Sequence, residues 1–311
     1  MKALKKILVI VLSVATGALT AQQDPMFTHY MNNTIAVNPG YAGTSEALSL
    51  TALHRSQWVN FEGAPTTQTI TMHTPMKNNK MGLGISVIND KIGPVNTTGA
   101  YVDYSYMLKL NEKSKLSFGL SAGINYMQAG LANLTVIQQN DIAFQEDVNS
   151  KLLPNFGFGM YYFTKRFYAG ISSPKLLENN FNTNTINGTT KLATEKRHYF
   201  FIAGGVMRLN SEVEFRPTTF VKATMGAPIE ADITASFILN KRVLIGGMYR
   251  TGDAIGLLAG YYITNQFHVG YSFDWSYGNR TFLYNQGSHE IMLTYDFIFN
   301  DKQKVRSPRY F

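Results

Sequence analysis

The stretch that decides the fold reads EADITASFIL at residues 230–239, where polar and apolar side chains alternate. Three similar runs follow at residues 243–250, 255–263 and 268–275, separated by polar turns of two to four residues. Period-two alternation interrupted by short turns indicates consecutive antiparallel hairpins. One face carries charged, hydroxyl or glycine residues, whereas the other is apolar and ends in aromatics. That division is typical of a barrel wall with lipid outside and polar groups inside.

The same alternation recurs along the rest of the chain. It predicts ten further strands, at residues 46–55, 67–73, 81–89, 98–109, 115–128, 153–163, 167–172, 197–209, 212–221 and 289–299. The total of about 14 is even, as expected for a single-chain bacterial outer-membrane barrel. The sequence therefore predicts an all-β, antiparallel transmembrane β-barrel of about 14 strands in the outer membrane.

The composition supports this class and excludes others. Only 15% of the 311 residues are charged, whereas soluble proteins have about 25%. The absence of cysteine excludes disulfides, thiolate nucleophiles and cysteine-ligated metals. The formal net charge of +8 is too small and too scattered to indicate a nucleic-acid partner.

The pattern of residues 1–21 predicts a secretory signal peptide. Lys2, Lys5 and Lys6 precede an apolar run, and small residues end at Ala21. A signal anchor is the alternative, but the apolar run is too short to span a bilayer comfortably.

The connections between the predicted strands alternate in length. Short ones lie at residues 75–80, 110–114, 164–166, 210–211, 240–241 and 265–266, and longer ones at 56–66, 90–97, 129–152, 173–196 and 276–288. Short turns of outer-membrane barrels face the periplasm and longer loops face outward. The pattern therefore predicts a barrel at residues 46–299 with both termini in the periplasm.

Two segments lie outside this predicted barrel. Residues 22–45 lack alternation but contain Phe27, Tyr30 and Tyr41, so we expect them to pack in the lumen or along the periplasmic rim. Residues 300–311 form a basic tail that we expect in the periplasm, where it could contact an acidic partner or remain solvated.

Several motifs, in their order and spacing, resemble the PorP/SprF family of type IX secretion and gliding-motility outer-membrane proteins. They are Gln23-Asp24-Pro25, Tyr30-Met31, Asn38-Pro39-Gly40-Tyr41-Ala42-Gly43, Arg55-Ser56-Gln57-Trp58, Gly63-Ala64-Pro65-Thr66, Asp90-Lys91-Ile92-Gly93, Tyr249-Arg250, Gly270-Tyr271-Ser272-Phe273-Asp274, His289-Glu290-Ile291 and Pro308-Arg309-Tyr310-Phe311. The family often has alanine where this chain has Gly40. The resemblance covers essentially the whole mature chain.

The resemblance implies a role in exporting, or attaching to the cell surface, large cargo adhesins that bear a C-terminal sorting domain. It also implies contacts with periplasmic lipoproteins of the secretion apparatus and with a peptidoglycan-binding partner. Outer-membrane lipid is the further expected partner.

Six charged residues are predicted to point into the lumen: Asp103, Glu230, Asp232, Arg250, Asp274 and Glu290. They could line a water path or form a network that closes the lumen. We favour the network, because side chains and a plug can fill a barrel of this size.

Catalysis is not favoured by these residues, and no cofactor or metal is expected. Glu230 and Asp232 lie on one face, but nothing nearby supplies a nucleophile. His289-Glu290 lacks the second histidine of a zinc motif, since Leu293 stands there. His268 and Asp274 share a face of one strand but lie too far apart to touch.

Three groups of residues are predicted to bind partners. The first outer loop supplies Arg55, Gln57, Trp58 and Pro65, which could be a docking surface or an ordinary loop beside the aromatic girdle. The N-terminal segment and the tail supply periplasmic candidates, namely Asn38, Pro39, Tyr41, Arg309, Tyr310 and Phe311.

The resulting hypothesis is a non-enzymatic barrel that binds type IX cargo and supports its export or surface attachment. A porin or substrate-specific channel for small molecules is the alternative. A barrel hydrolase is a third and weaker possibility.

Overall fold

A computed structural model describes residues 24–45, 47–76, 79–131, 148–179, 183–185, 188–190, 195–278 and 283–298. The predicted signal peptide and the tail at residues 300–311 lie outside the described residues. The strands are β1 (Leu48–Ser56), β2 (Thr66–Pro75), β3 (Met81–Ile92), β4 (Val95–Lys109), β5 (Ser114–Ala129), β6 (Val148–Thr164), β7 (Phe167–Ser173), β8 (Thr183–Thr185), β9 (Gly188–Thr190), β10 (His198–Gly205), β11 (Met207–Arg208), β12 (Val213–Thr224), β13 (Glu230–Leu239), β14 (Val243–Arg250), β15 (Ala254–Tyr262), β16 (Phe267–Ser276) and β17 (Ser288–Phe297).

Fourteen strand positions close into an antiparallel barrel, which confirms the predicted fold class. Each strand of the wall pairs with the next wall strand along the chain, and β1 pairs with β17 to close the wall. β10 pairs with both β7 and β12. β11 also pairs with β12 and continues the position of β10 after a break at Val206. β8 and β9 form a separate two-stranded hairpin.

The alternation of side chains along each strand separates the lumen from the outer surface. In β13, Asp232 is fully buried, whereas Ile233 is 58% exposed and Phe237 is 40% exposed. The same in–out pattern repeats around the barrel. The outward side chains are mainly apolar, so the wall suits a lipid environment.

One predicted loop is wrong. Residues 90–97 were expected to form a long connection, but β3 runs to Ile92 and β4 begins at Val95, leaving a two-residue turn. The strand signal is hidden there because both faces carry polar side chains. Thr67 donates to Asp90 on the inner face at 2.6 Å, and Asn89 donates to Asn96 on the outer face at 2.8 Å.

The two ends of the barrel differ. The connections β1–β2, β7–β10 and β16–β17 lie at what we call the long-loop end, and β2–β3, β6–β7 and β13–β14 at the short-turn end. Two short 3₁₀ helices, Thr34–Ala36 and Pro39–Tyr41, lie before β1. In the described part of the chain, we find no helix with the length and apolar character needed to cross a membrane.

Candidate functional site in the barrel lumen

Residues 24–45, which we call the plug segment, cross the lumen from one end of the barrel to the other. At the long-loop end, the Asp24 carboxylate lies 2.7 Å from Lys175 Nζ. At the short-turn end, Gly43 packs against the backbone of Gly82 and Thr74. β17 also ends at the short-turn end, so Asp24 and Phe297 lie at opposite ends. The segment therefore threads the lumen, which is one of the two placements expected for it, instead of lying along the rim. Both chain termini lie outside the described residues.

Hydrogen bonds join the plug segment to strands on several sides of the barrel. Asn33 Nδ2 donates to Thr69 Oγ1 of β2 at 3.0 Å, and the Tyr30 hydroxyl lies 3.1 Å from Thr218 Oγ1 of β12. Further bonds join Tyr30 to Thr234, Thr71 to Asn33, Ser105 to the Ala42 carbonyl and Ser172 to the Val37 carbonyl. The wall's inward hydroxyl groups therefore hold the segment.

The motif at residues 38–41 fits against wall positions that have no side chain. Asn38 Oδ1 accepts a hydrogen bond from the Gly40 amide at 2.8 Å, and Asn38 Nδ2 donates to the Met160 carbonyl at 3.1 Å. A Cβ at Gly119 would collide with the Pro39–Gly40 backbone, and one at Gly159 would collide with Asn38. Glycine is needed at these two positions because the plug backbone approaches the wall so closely.

An ion network lies in the lumen near the long-loop end. Arg55 contacts Asp274 at 2.7 Å and Glu290 at 3.2 Å. Arg250 contacts Asp232 through Nε at 2.9 Å and through Nη2 at 2.8 Å, and approaches Asp274 at 3.8 Å. All five side chains are at most 2% exposed. We call these five residues the ion network.

The plug segment is bound directly to this network. Glu290 accepts from the Thr28 amide at 2.9 Å and from the His29 amide at 2.7 Å. Glu290 also lies 2.7 Å from His29 Nδ1, which carries the hydrogen because an ionised carboxylate can only accept. Thr28 Oγ1 donates to Asp274 at 2.7 Å. The network thus does more than balance charge, because it fixes the backbone of the plug.

A second charged group holds the start of the plug segment. Lys175 contacts Asp24 at 2.7 Å and Glu195 at 3.4 Å, and His198 lies 3.3 Å from Asp24. Burial alone would raise the pKa of Asp24, but Lys175 and then His198 outweigh it and lower the pKa below its usual value. Burial would lower the pKa of Lys175, but Asp24 and other neighbours raise it above its usual value. Both side chains therefore remain charged at neutral pH.

The structure brings together four of the six charged residues predicted in the lumen: Asp232, Arg250, Asp274 and Glu290. The other two lie apart from the network. Glu230 contacts Lys222 at 2.8 Å, and Asp103 accepts from Ser86 at 3.4 Å. His289 and Glu290 point to opposite faces of β17, and His289 bonds to the Tyr271 hydroxyl outside.

Several predicted partner-binding residues lie inside the barrel instead of on its surface. Arg55 is 1% exposed and belongs to the ion network. Asn38, Pro39 and Tyr41 are buried in the plug segment and face the barrel wall. Their motif reflects close packing against the wall. Arg309, Tyr310 and Phe311 lie outside the described residues.

Gln57, Trp58 and Pro65 lie on a loop that is joined to its neighbours. The Gln57 amide donates to the Pro65 carbonyl at 2.9 Å. Trp58 donates from its amide to Ser288 at 3.1 Å and from its ring to Ser276 at 3.2 Å. Backbone bonds also join Val59 to Gln286 and Gly287, and Gly63 to Gly93. We call residues 57–64, Gly93 and residues 285–287 the loop platform.

The loop platform contains two aromatic side chains, Trp58 and Phe61. Trp58 has a φ of 44°, which is strained for a bulky residue and is maintained by the bonds around it. Phe61 packs edge-on against Trp58 at 6.5 Å and is 40% exposed. The platform therefore presents a fixed aromatic group at the long-loop end.

A narrow space, which we call the slot cavity, remains between the plug segment and the wall of β3–β5. Its volume is about 90 Å³. Thr97, Gly99, Tyr101 and Asp103 line it along β4. Asp24, Lys175 and His198 lie at its mouth at the long-loop end.

Sequence reasoning missed the residues that join the plug to the wall. Thr28 and His29 lie in a segment without periodicity, so nothing in their pattern indicates a partner. Lys175 follows a strand and resembles an ordinary loop lysine. The inward parity of Arg55, opposite Leu50 and Ala52, was the one available signal for placing it in the lumen.

The closed wall, its apolar outer face and its polar, occupied lumen define an outer-membrane β-barrel filled by its own N-terminal segment. The chain belongs to the family of type IX secretion system membrane proteins PorP/SprF, which matches residues 19–295. The family expected from the motifs is therefore confirmed. A search of curated proteins gives no match.

Several solved structures are similar to this chain at low sequence identity. The CymD monoaromatic hydrocarbon channel is 11% identical, with a TM-score of 0.50, and the match covers 85% of this chain and 92% of CymD. The outer membrane protein Omp33 of Acinetobacter baumannii is 11% identical, with a TM-score of 0.45, over 82% of this chain and 100% of Omp33. A Pseudomonas aeruginosa FadL homologue is 11% identical, with a TM-score of 0.43, over 81% of this chain and 89% of the homologue.

Proposed function

We propose that this type IX secretion component binds a secreted cargo protein at the outer membrane and supports its export or attachment to the cell surface. The cargo would be an adhesin with a C-terminal sorting domain. The observation that carries the proposal is the occupied lumen, in which the plug segment extends between the two ends and is held by Glu290 at Thr28 and His29 and by Lys175 at Asp24. A barrel filled in this way is suited to binding proteins at its ends.

The loop platform is the proposed cargo-binding surface. Fixed aromatic groups make good anchors because little conformational entropy is lost when they bind. Phe61 is exposed and rests on Trp58, which the neighbouring loops hold in place. Periplasmic lipoproteins of the apparatus and its peptidoglycan-binding partner would then contact the short-turn end.

The lumen chemistry supports binding instead of catalysis. Arg55 and Arg250 are paired with carboxylates, and Glu290 is occupied by the backbone and ring of His29. A catalytic group needs room for a substrate beside it, and these groups are fully buried. We therefore infer a non-enzymatic role.

A channel for small molecules is the second candidate, and the slot cavity is the observation that favours it. The two candidates differ in what the purified barrel does alone. A channel conducts ions without any partner, whereas a docking protein needs its cargo to be recovered with it.

The test is recovery of cargo from the native cell in mild detergent, followed by mass spectrometry. A tagged Phe61→Ala variant is compared with Met225→Ala, since Met225 is an equally apolar and more exposed side chain in the β12–β13 connection at the same end. We expect Phe61→Ala to reduce the recovered adhesin about fivefold or more, while Met225→Ala leaves it unchanged. Equal recovery with both variants would exclude the platform as the docking surface.

A further inference from the structure

The slot cavity is long and narrow. Thr97 and Asp103 both line it and lie six residues apart on β4, a separation of about 20 Å at 3.4 Å per residue. Its volume of about 90 Å³ spread over this length leaves room for a slender chain. Folded or branched ligands of the same length would not fit.

Two carboxylates mark the two ends of the slot cavity. Asp103, which is 2% exposed, lies at the inner end, where Ser86 Oγ donates to it at 3.4 Å. Asp90 lies nearer the mouth and accepts from Thr67 Oγ1 at 2.6 Å. Among the described residues, neither carboxylate has a lysine, arginine or histidine nitrogen within 4.0 Å. Lys175 also lines the cavity, but its ammonium is held by Asp24 and Glu195.

Asp90 is half-buried and Asp103 is buried. A buried carboxylate without a counter-ion is costly, so this arrangement favours a bound cation. The cavity lining also includes apolar side chains, namely Phe27, Ile35, Val37, Ile88 and Phe200. A metal ion needs several oxygen ligands around one point, which carboxylates at opposite ends of a slot do not supply. An aliphatic chain between two ammonium groups satisfies the walls and both carboxylates.

We propose that the slot cavity binds a linear aliphatic polyamine. One ammonium group is held by Asp103 at the inner end, and another is held by Asp90 near the mouth. The methylene chain packs against the apolar walls formed by the plug segment and by β3. The ligand enters from the long-loop end, where Asp24 and Lys175 border the opening.

The test is isothermal titration of the purified full-length barrel in detergent with spermine. We expect saturable binding that Asp103→Asn and Asp90→Asn each weaken about ten- to hundredfold, because each variant removes one charged hydrogen bond. Asp296→Asn is the matched control, since Asp296 is an inward-side carboxylate that bonds to Ser49 and does not line the cavity. Thr97→Phe narrows the mouth without changing either carboxylate, and should also weaken binding.

n-Butylammonium, which has one charge, provides the second arm of the test. n-Butylammonium should bind more weakly than spermine, lose affinity in Asp103→Asn and be unaffected by Asp90→Asn. The heat-dependent gel mobility of each variant verifies that the barrel is folded. The absence of saturable spermine binding, or binding that survives both aspartate substitutions and Thr97→Phe, would overturn the proposal.

Discussion

The two sides of the lumen hold the plug segment in different ways. On the side of β13–β17 and β1, five buried charged residues form the ion network, and Glu290 of this network accepts hydrogen bonds from the backbone amides of Thr28 and His29. On the side of β3–β5, inward hydroxyl groups and two carboxylates without a cation border the slot cavity. The strand pattern is the same on both sides. The difference indicates that β13–β17 and β1 anchor the plug segment, whereas β3–β5 leave a cavity beside it.

The largest expected difference in the free energy of unfolding is between two aspartate-to-asparagine substitutions, one in the ion network and one at the slot cavity. Asp232→Asn removes the bidentate partner of the buried Arg250, so we expect a loss of about 3–5 kcal/mol in the free energy of unfolding. Asp103→Asn removes a buried charge that has no cation, and should leave the free energy of unfolding unchanged or raise it. Urea unfolding of the purified barrel, followed by tryptophan fluorescence, measures both.

Equal losses in the two variants would contradict the comparison, since they would mean that Asp103 is as firmly paired as Asp232. Lys109→Met provides a further control. Lys109 forms an exposed ion pair with Glu112, and exposed pairs contribute little, so its variant should unfold like the wild type.

The next largest expected effect is on the rate of proteolysis of the plug segment, which depends on how closely the segment packs against the wall. Gly119→Ala places a methyl group against the backbone of Pro39 and Gly40, and overpacking of this kind costs about 1–3 kcal/mol. We expect faster proteolysis within residues 24–45 in the folded barrel. Gly130→Ala adds the same methyl group where nothing lies within 4 Å, and should leave the cleavage rate unchanged. Faster cleavage in both variants would show that the close approach at Gly119 does not hold the plug.

Alternation predicts the wall because every strand has one lipid-facing and one lumen-facing side, and the fold class follows from that alone. The interior is less predictable. Arg55 is inward by parity, yet its position beside a loop motif favoured a surface role. Thr28 and His29 have no periodic signal, since their geometry is determined by partners on β16 and β17 about 250 residues away. The motif at residues 38–41 was recognisable as a motif, but its cause, close contact with Gly119 and Gly159, depends on the closed barrel.

The smallest expected effect is on hydrogen exchange near Asp24, at the start of the plug segment. The lowered pKa of Asp24 means that its contribution to stability is present above the unfolded pKa of about 3.9 and is lost as the pH falls through the lower folded value. The raised pKa of Lys175 means that its contribution is present below about 10.4 and is lost only at higher pH. Hydrogen exchange near Asp24 should therefore be constant at neutral pH and accelerate in strong acid.

Lys175→Met removes this partner of Asp24, and should speed exchange near Asp24 at neutral pH by an amount equivalent to about 1 kcal/mol. The exchange rate of residues 28–38 should change less, because the ion network still holds Thr28 and His29. Equally faster hydrogen exchange along the whole plug segment would show that Lys175 and the ion network do not hold the segment independently.

The central claim is that the plug segment closes the lumen, and ion conductance in planar bilayers tests it most directly. The purified wild-type barrel is predicted to show no steady conductance, whereas a variant lacking residues 24–45 should open to ions if it inserts. Steady conductance of the wild type, equal to that of the deletion variant, would contradict the claim and favour a channel.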